Sequence, residues 1–202
     1  MRFFNGINRL KQTEWPIKVG LFYLLVAFLL GCSAAKPIAS RQPATFYKQL
    51  QQHCGKKLAG TVLYPGGKEA PFQGMHIWLE IDQCNEKEIR MPIKLDDKIY
   101  RTLILGRDNT GPGYTLRHEN KRPNGTQAEF SMYGGQTTNA GSNFLLVFPA
   151  DSYSRQLMGA EMNYVWSLAI NSDRTTLSYM VETDGKLNLQ LDFDLTTTPV
   201  QQ

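Results

Sequence analysis

The sharpest pattern in the chain has a period of two. Met75, Ile77, Leu79 and Ile81 alternate with His76, Trp78 and Glu80. Ile89, Met91, Ile93 and Leu95 alternate with Arg90, Pro92 and Lys94. Near the end, Leu187, Leu189, Leu191, Phe193 and Leu195 alternate with Asn188, Gln190, Asp192 and Asp194. Successive strand side chains point to opposite faces, so each run predicts a strand with one buried face. Weaker runs predict strands at 58–64, 99–106, 113–119, 126–133, 143–148, 163–170 and 175–182. Asp96-Asp97, Asn124-Gly125, Asn171-Ser172-Asp173 and Asp184-Gly185 fall between runs, and Asn-Gly and Asp-Gly suit type I′ hairpins. The polar stretch 134–142 (GGQTTNAGS) predicts a flexible loop, with Gly134-Gly135 turning the backbone at positive φ.

About ten short strands on short turns predict an all-β domain. The expected architecture is an antiparallel β-barrel, lipocalin-like, or a sandwich of about eight to ten strands. Closure is favoured because an open sheet of that size leaves two unpaired edges. One segment breaks the period. Pro43 and Thr45 can start a helix, Phe46, Leu50 and His53-Cys54 recur at helical spacing, and Gly55 can end it. A short amphipathic N-terminal helix is expected over 44–54.

The first 31 residues follow another logic. Arg2, Arg9, Lys11 and Lys18 face a single acid, Glu14, and an apolar run over 21–30 (LFYLLVAFLL) leads to Gly31-Cys32. A basic start, a short apolar core and a small residue before the cut predict an export signal. Roughly 20 apolar residues are needed to span a bilayer, and this run is about half that. Leu29-Leu30-Gly31-Cys32 resembles the lipobox of bacterial lipoproteins. The resemblance implies a diacylglyceryl thioether on Cys32, which becomes the mature N-terminus after cleavage. Ser33 comes next, where an aspartate tends to retain enterobacterial lipoproteins at the inner membrane. By that similarity the expected location is the outer membrane, periplasmic side. The predicted organisation is therefore a signal over 1–31, a lipidated tether over 32–42 and one β-rich domain over 43–202.

Subtracting the signal changes the charge. Of the 22 Lys/Arg and 18 Asp/Glu behind the overall +4, four and one lie in residues 1–31, leaving +1 on the rest. A near-neutral body with interspersed signs has no electrostatic footprint for nucleic acid. Two cysteines remain, Cys54 and Cys84. In an oxidising compartment they read as a disulfide closing a loop of about 30 residues, worth on the order of 3 kcal/mol. Their spacing fits no zinc pattern.

Candidate chemistry is sparse. On a 113–119 strand His118 shares a face with Tyr114 and Leu116, where it either closes a polar network or, beside a pocket, contacts a ligand or acts as a base. Tyr114, Tyr133 and Trp166 join His118 as candidate ligand contacts, since inward aromatics of a small barrel either fill the core or line a pocket. His76 shares a face with Trp78 and Glu80, a pair read as a solvated polar face rather than a metal site. No Gly-x-Ser-x-Gly elbow, phosphate loop or zincin helix occurs, so no catalytic residue, metal or cofactor is assigned. Asn124-Gly125-Thr126 reads as a hairpin turn rather than a glycosylation site. Phe148-Pro149-Ala150-Asp151 reads as a strand end and a sharp turn, with Asp151 capping the segment after it.

Five segments occur in order: 116–125 (LRHENKRPNG), 132–137 (MYGGQT), 148–151 (FPAD), 163–170 (NYVWSLAI) and 193–200 (FDLTTTPV). Together with 72–84 and 89–105 they resemble an uncharacterised family of secreted proteins and lipoproteins of Gram-negative bacteria, over roughly residues 46–200. The resemblance implies an all-β domain and carries no biochemical activity with it. Where relatives tend to carry H-x-H-x-H-x-D-G, this chain has His118 alone, with Asn124 in place of the aspartate, which removes the ligands a metal role would need.

The expected function is a non-enzymatic binding or envelope-maintenance module, anchored to the membrane by lipid and holding a small apolar ligand or an envelope protein. The alternatives are a structural or interaction lipoprotein with a filled core, and a hydrolase or metal-dependent enzyme using His118.

Overall fold

The computed structural model describes residues 45–64, 72, 74–107, 113–137 and 142–196. The predicted export signal, Cys32 and the predicted tether lie outside the described residues. The elements in chain order are α1 (Phe46–Gln51), β1 (Lys57–Tyr64), β2 (Ile77–Glu80), β3 (Gln83–Cys84), β4 (Glu88–Leu95), β5 (Lys98–Arg107), β6 (Tyr114–Glu119) and β7 (Tyr133–Gln136). They continue with β8 (Leu145–Pro149), α2 (Ser152–Met158), β9 (Tyr164–Ile170), β10 (Thr176–Thr183) and β11 (Lys186–Asp194).

The strands form one antiparallel sheet in the order β7-β6-β5-β4-β2-β1-β11-β10-β9-β8, with β3 on the flank of β4. It is a nearly closed barrel rather than a sandwich, as its two terminal strands come back together. Gly135 of β7 forms an antiparallel bridge to Ala150, just past β8. The Asp151 N–H donates to the Gly134 carbonyl at 3.1 Å. Two glycines make that approach possible. A Cβ on Gly135 would lie 2.1 Å from the Pro149 carbonyl oxygen, and one on Gly134 would lie 1.8 Å from that of Leu116. Gly134-Gly135 is therefore strand rather than the expected turn, and residues 138–141 of the predicted loop lie outside the described residues.

The alternating apolar positions point inward as the period of two requires. Leu58, Leu79, Ile93, Leu103, Leu116, Phe148, Trp166, Tyr179 and Leu191 are all buried. Full burial of one such side chain contributes about 1.5–3 kcal/mol of transfer free energy. Among the described residues the buried core runs from Phe46 to Leu195, within one compact unit of residues 42–202.

One end of the barrel is plugged. Thr45 caps α1, its hydroxyl accepting from the Lys48 N–H, and Phe46, Tyr47 and Leu50 are almost wholly buried. Six residues cannot hold a helix alone in water, so packing keeps α1 in place. The Tyr47 hydroxyl donates to the Asn85 carbonyl at 2.9 Å. A disulfide joins Cys54, just after α1, to Cys84 of β3, with Cα atoms 6.1 Å apart.

Two expectations fail locally. The strand expected over 126–133 does not form before Tyr133, where β7 begins. Asn120 instead gathers this loop, its N–H donating to Ser131 Oγ and its amide to the Phe130 carbonyl, and Met132 sits at φ 60°, which no regular strand tolerates. A second helix, α2, begins after Asp151, where only one helix was expected in the domain. Asp151 caps it by accepting from the Ser154 N–H at 2.8 Å, but its only fully buried side chain is Ser154, so it shows no periodic apolar face.

Replacing both Cys54 and Cys84 by alanine is expected to lower stability by about 3–4 kcal/mol, through loss of a closed loop of about 30 residues. Urea unfolding with unchanged slope would measure it. Gly135→Ala is expected to cost about 3 kcal/mol or more, because the backbone it meets cannot give way as a side chain would. Amide hydrogen exchange should then speed first at the β7–β8 seam.

Candidate functional site

The barrel end opposite α1 gathers the polar chemistry. Alternation along β6 turns His118 inward, where it lies opposite Leu103 of β5 and Tyr133 of β7. Tyr179 from β10 and Trp166 from β9 reach it across the interior. The His118 ring stacks on Tyr133 at 4.7 Å between centroids, with Trp166 at 5.1 Å and Tyr179 at 5.8 Å.

Arg101 belongs to the same cluster. It pairs with the fully buried Ile93 and so shares the inner face of β5 with Leu103 and Leu105. Its register is irregular. Ile93 opposes Arg101 while Lys94 opposes Ile99, leaving Tyr100 as an extra residue in a bulge. A bulge puts two successive side chains where the pleat allows one, and here it brings Tyr100 and Arg101 together. The guanidinium lies 4.4 Å from the Tyr100 ring centroid and donates to its hydroxyl at 2.7 Å. Similar shifts occur in β1 between Val62 and Tyr64 and in the β10–β11 pair between Val181 and Glu182. All three sit at this end.

The hydrogen bonds have a forced direction. A carbonyl can only accept, so His118 Nδ1–H donates to that of Tyr133 at 3.1 Å. Nε2 is then the acceptor, and the Tyr179 hydroxyl donates to it at 2.8 Å. The result is one chain, Tyr179 to His118 to Tyr133, with the Arg101 charge close by. Both ring nitrogens are used, and the ring is fully buried.

Electrostatics agree with that tautomer. Burial, then the nearby Arg101 and Arg117 charges, drive the His118 pKa down to about 3, against the upward pull of its bond to Tyr133. Burial pushes the Tyr179 hydroxyl well above its usual range. Burial works against the Arg101 charge too, but the tyrosine oxygens around it outweigh that, and the guanidinium stays protonated. Asp151, at the seam, accepts from Ser154 and pairs with Arg117, and these bonds hold its carboxyl below the usual value although burial alone would raise it.

Three of the four candidate ligand contacts therefore come together, His118, Tyr133 and Trp166. Tyr114 does not. It sits at the α1 end, stacked on Tyr47 with centroids 6.0 Å apart. His76 lies at the start of β2, where its backbone exchanges bonds with Asp96. Among the described residues no three His, Cys, Asp or Glu side chains gather as a metal site would need. Arg101 and Tyr100 were missed. Their signal was an arginine two and four residues before Leu103 and Leu105, a charge on an apolar face.

A histidine held neutral has a definite effect on stability. The unfolded chain takes up a proton near pH 6.5, whereas the folded protein refuses it until about pH 3. The contribution is therefore complete above pH 6.5 and is lost progressively as the pH falls below that. Between pH 6.5 and 4, unfolding is expected to take up about one proton more in the wild type than in His118→Gln. The pH dependence of urea midpoints measures the difference, and equal slopes in the two proteins would refute the buried neutral ring.

Compared with known proteins, the chain matches no family model, no curated protein and no solved structure.

Proposed function

We propose that the protein is a lipid-anchored envelope lipoprotein, held through Cys32 at the periplasmic side of the outer membrane, whose barrel serves as a non-enzymatic binding module. The anchor reading is supported by the basic, apolar and Leu-Leu-Gly-Cys segments in sequence. A disulfide between Cys54 and Cys84 suits an oxidising compartment.

The observation that carries the binding reading is the Tyr179–His118–Tyr133 chain with the Arg101 charge beside it. It spends the one candidate base on structure, since His118 has neither a free nitrogen nor exposure with which to take a proton from a substrate. It also sets a cation inside the end of an apolar barrel. Groups so placed orient a ligand rather than transform it. A structural or interaction lipoprotein is the second reading. It is favoured by the bulk of the buried side chains, Trp166, Tyr179, Phe148 and Phe193 among them, which fill much of the interior.

Two measurements test this. In cells fed labelled palmitate, the wild type is expected to carry label and to fractionate with the outer membrane, while Cys32→Ser carries none. Native mass spectrometry of residues 33–202 separates the binding readings. A small molecule retained on the folded domain supports the first, and a bare mass together with a binding partner on intact membranes supports the second.

A further inference from the structure

Two arginines face the barrel interior, one at each end. Arg107, at the α1 end, lies over the Tyr47 ring at 4.8 Å and has Glu86 3.9 Å away. Arg101 has tyrosines only. Among the described residues no carboxylate lies within ion-pair reach of it. Its Nε–H is sealed from solvent and has no acceptor. A partly buried charge without a counter-ion costs free energy that an anion on the guanidinium would recover. The Arg101 residue as a whole is partly exposed.

The same end shows a second departure from a soluble surface. Leu63, Tyr64, Met75 and Ile99 are 56%, 49%, 45% and 60% exposed, on or beside the ends of β1, β2 and β5 at this end, with β4 between β2 and β5. Leu63 is the extra residue of the β1 bulge and Ile99 adjoins that of β5. Apolar side chains gathered at one end of a barrel mark a binding surface more often than scattered ones do. An apolar rim around a cation matches a ligand with the same two parts.

We propose that this end of the barrel binds a single-chain anionic amphiphile, with Arg101 taking a carboxylate or phosphate head and the rim of Leu63, Tyr64, Met75 and Ile99 taking the acyl chain. Tyr100 holds the guanidinium through its hydroxyl and its ring, so the head group meets a charge already oriented. The guanidinium stays protonated and His118 neutral across the neutral range. The proposal rests on the binding-module reading and names its ligand class.

The test is calorimetric titration of residues 33–202, which contain the compact unit of residues 42–202, with decanoate, decyl phosphate, 1-decanol and inorganic phosphate. Decanoate or decyl phosphate is expected to bind at least about tenfold more tightly than decanol, and more tightly than phosphate alone. Arg101→Gln should lose about that tenfold advantage while leaving the weak decanol binding unchanged, and Arg101→Lys should restore part of it. Circular dichroism checks that both variants fold. The comparison of decanoate with decanol on the wild type needs no variant at all. Decanol binding as tightly as decanoate, or decanoate binding equally to wild type and Arg101→Gln, overturns the proposal and leaves the binding module standing. Inorganic phosphate binding as tightly as decyl phosphate overturns the amphiphile. No binding by any of the four overturns the proposal, while a different small molecule retained in native mass spectrometry would still uphold the module.

Discussion

The fold depends on how closely β7 can lie against its neighbours. A ten-strand antiparallel sheet that failed to close would present β7 and β8 as bare edges, each a row of unpaired backbone donors and acceptors. Closure requires two backbones to pass at distances that no Cβ permits, and Gly134 and Gly135 supply both positions. The β7–β8 contact is thin, a single bridge at Gly135 and one further bond from Asp151. Its completion comes from α2. Ser154 Oγ accepts from the Gly134 N–H at 2.6 Å and donates to the Gly134 carbonyl at 2.7 Å, satisfying both backbone groups where the strand pairing stops. The hydroxyl is wholly buried, so without those bonds it would itself be a cost. Arg117, which lies opposite Gly134, reaches past the missing side chain to the Asp151 carboxylate. One carboxylate thus caps α2 and ties β6 to the far side of the seam.

The two ends of the barrel are built to opposite designs. At the α1 end, aromatic burial, a disulfide and hydrogen bonds from Tyr47 and Gln51 to the Asn85 carbonyl all hold the same short segment. At the other end three register shifts interrupt the ladder. A bulge gives up regular pairing to re-aim a side chain, and three of them on one rim concentrate that loss where Tyr100, Arg101 and the exposed apolar residues are displayed. The covalent staple sits far from this irregular end, so rigidity at one end coexists with departures from ideal geometry at the other.

How legible each element is in the sequence depends on what holds that element in place. The strands at 77–80, 88–95 and 186–194 carry unbroken alternation, and a period of two is a property of the strand itself. The turn at Asp184-Gly185 was legible for the same reason, with both residues at positive φ. The Gly134-Gly135 strand was not legible, since glycine there answers to the backbones of Leu116 and Pro149, which only the tertiary fold brings close. Nor was α2, which is held by a cap and a single buried hydroxyl instead of an apolar stripe. At the site, alternation brought His118 to the inner face, but Tyr114 shares that face and lies at the other end. A period of two assigns a face and says nothing about height along the barrel. The bulge that joins Tyr100 to Arg101 is a difference between two strands, so neither strand alone reveals it.

His118 and Arg101 are best understood together. A neutral histidine fully buried in a barrel of this kind would ordinarily be a liability, because its two nitrogens demand opposite partners. The Tyr133 carbonyl can only accept and fixes Nδ1 as the donor, so Nε2 needs a donor, and the Tyr179 hydroxyl provides it. After burial itself, the Arg101 charge helps keep the ring from accepting a second proton. The histidine is consequently a positioning element, locked at one end to β7 beside the seam and at the other to Tyr179 of β10. One set of hydrogen bonds thus ties the closing strand β7 across the interior to β10, beside the Arg101 cation.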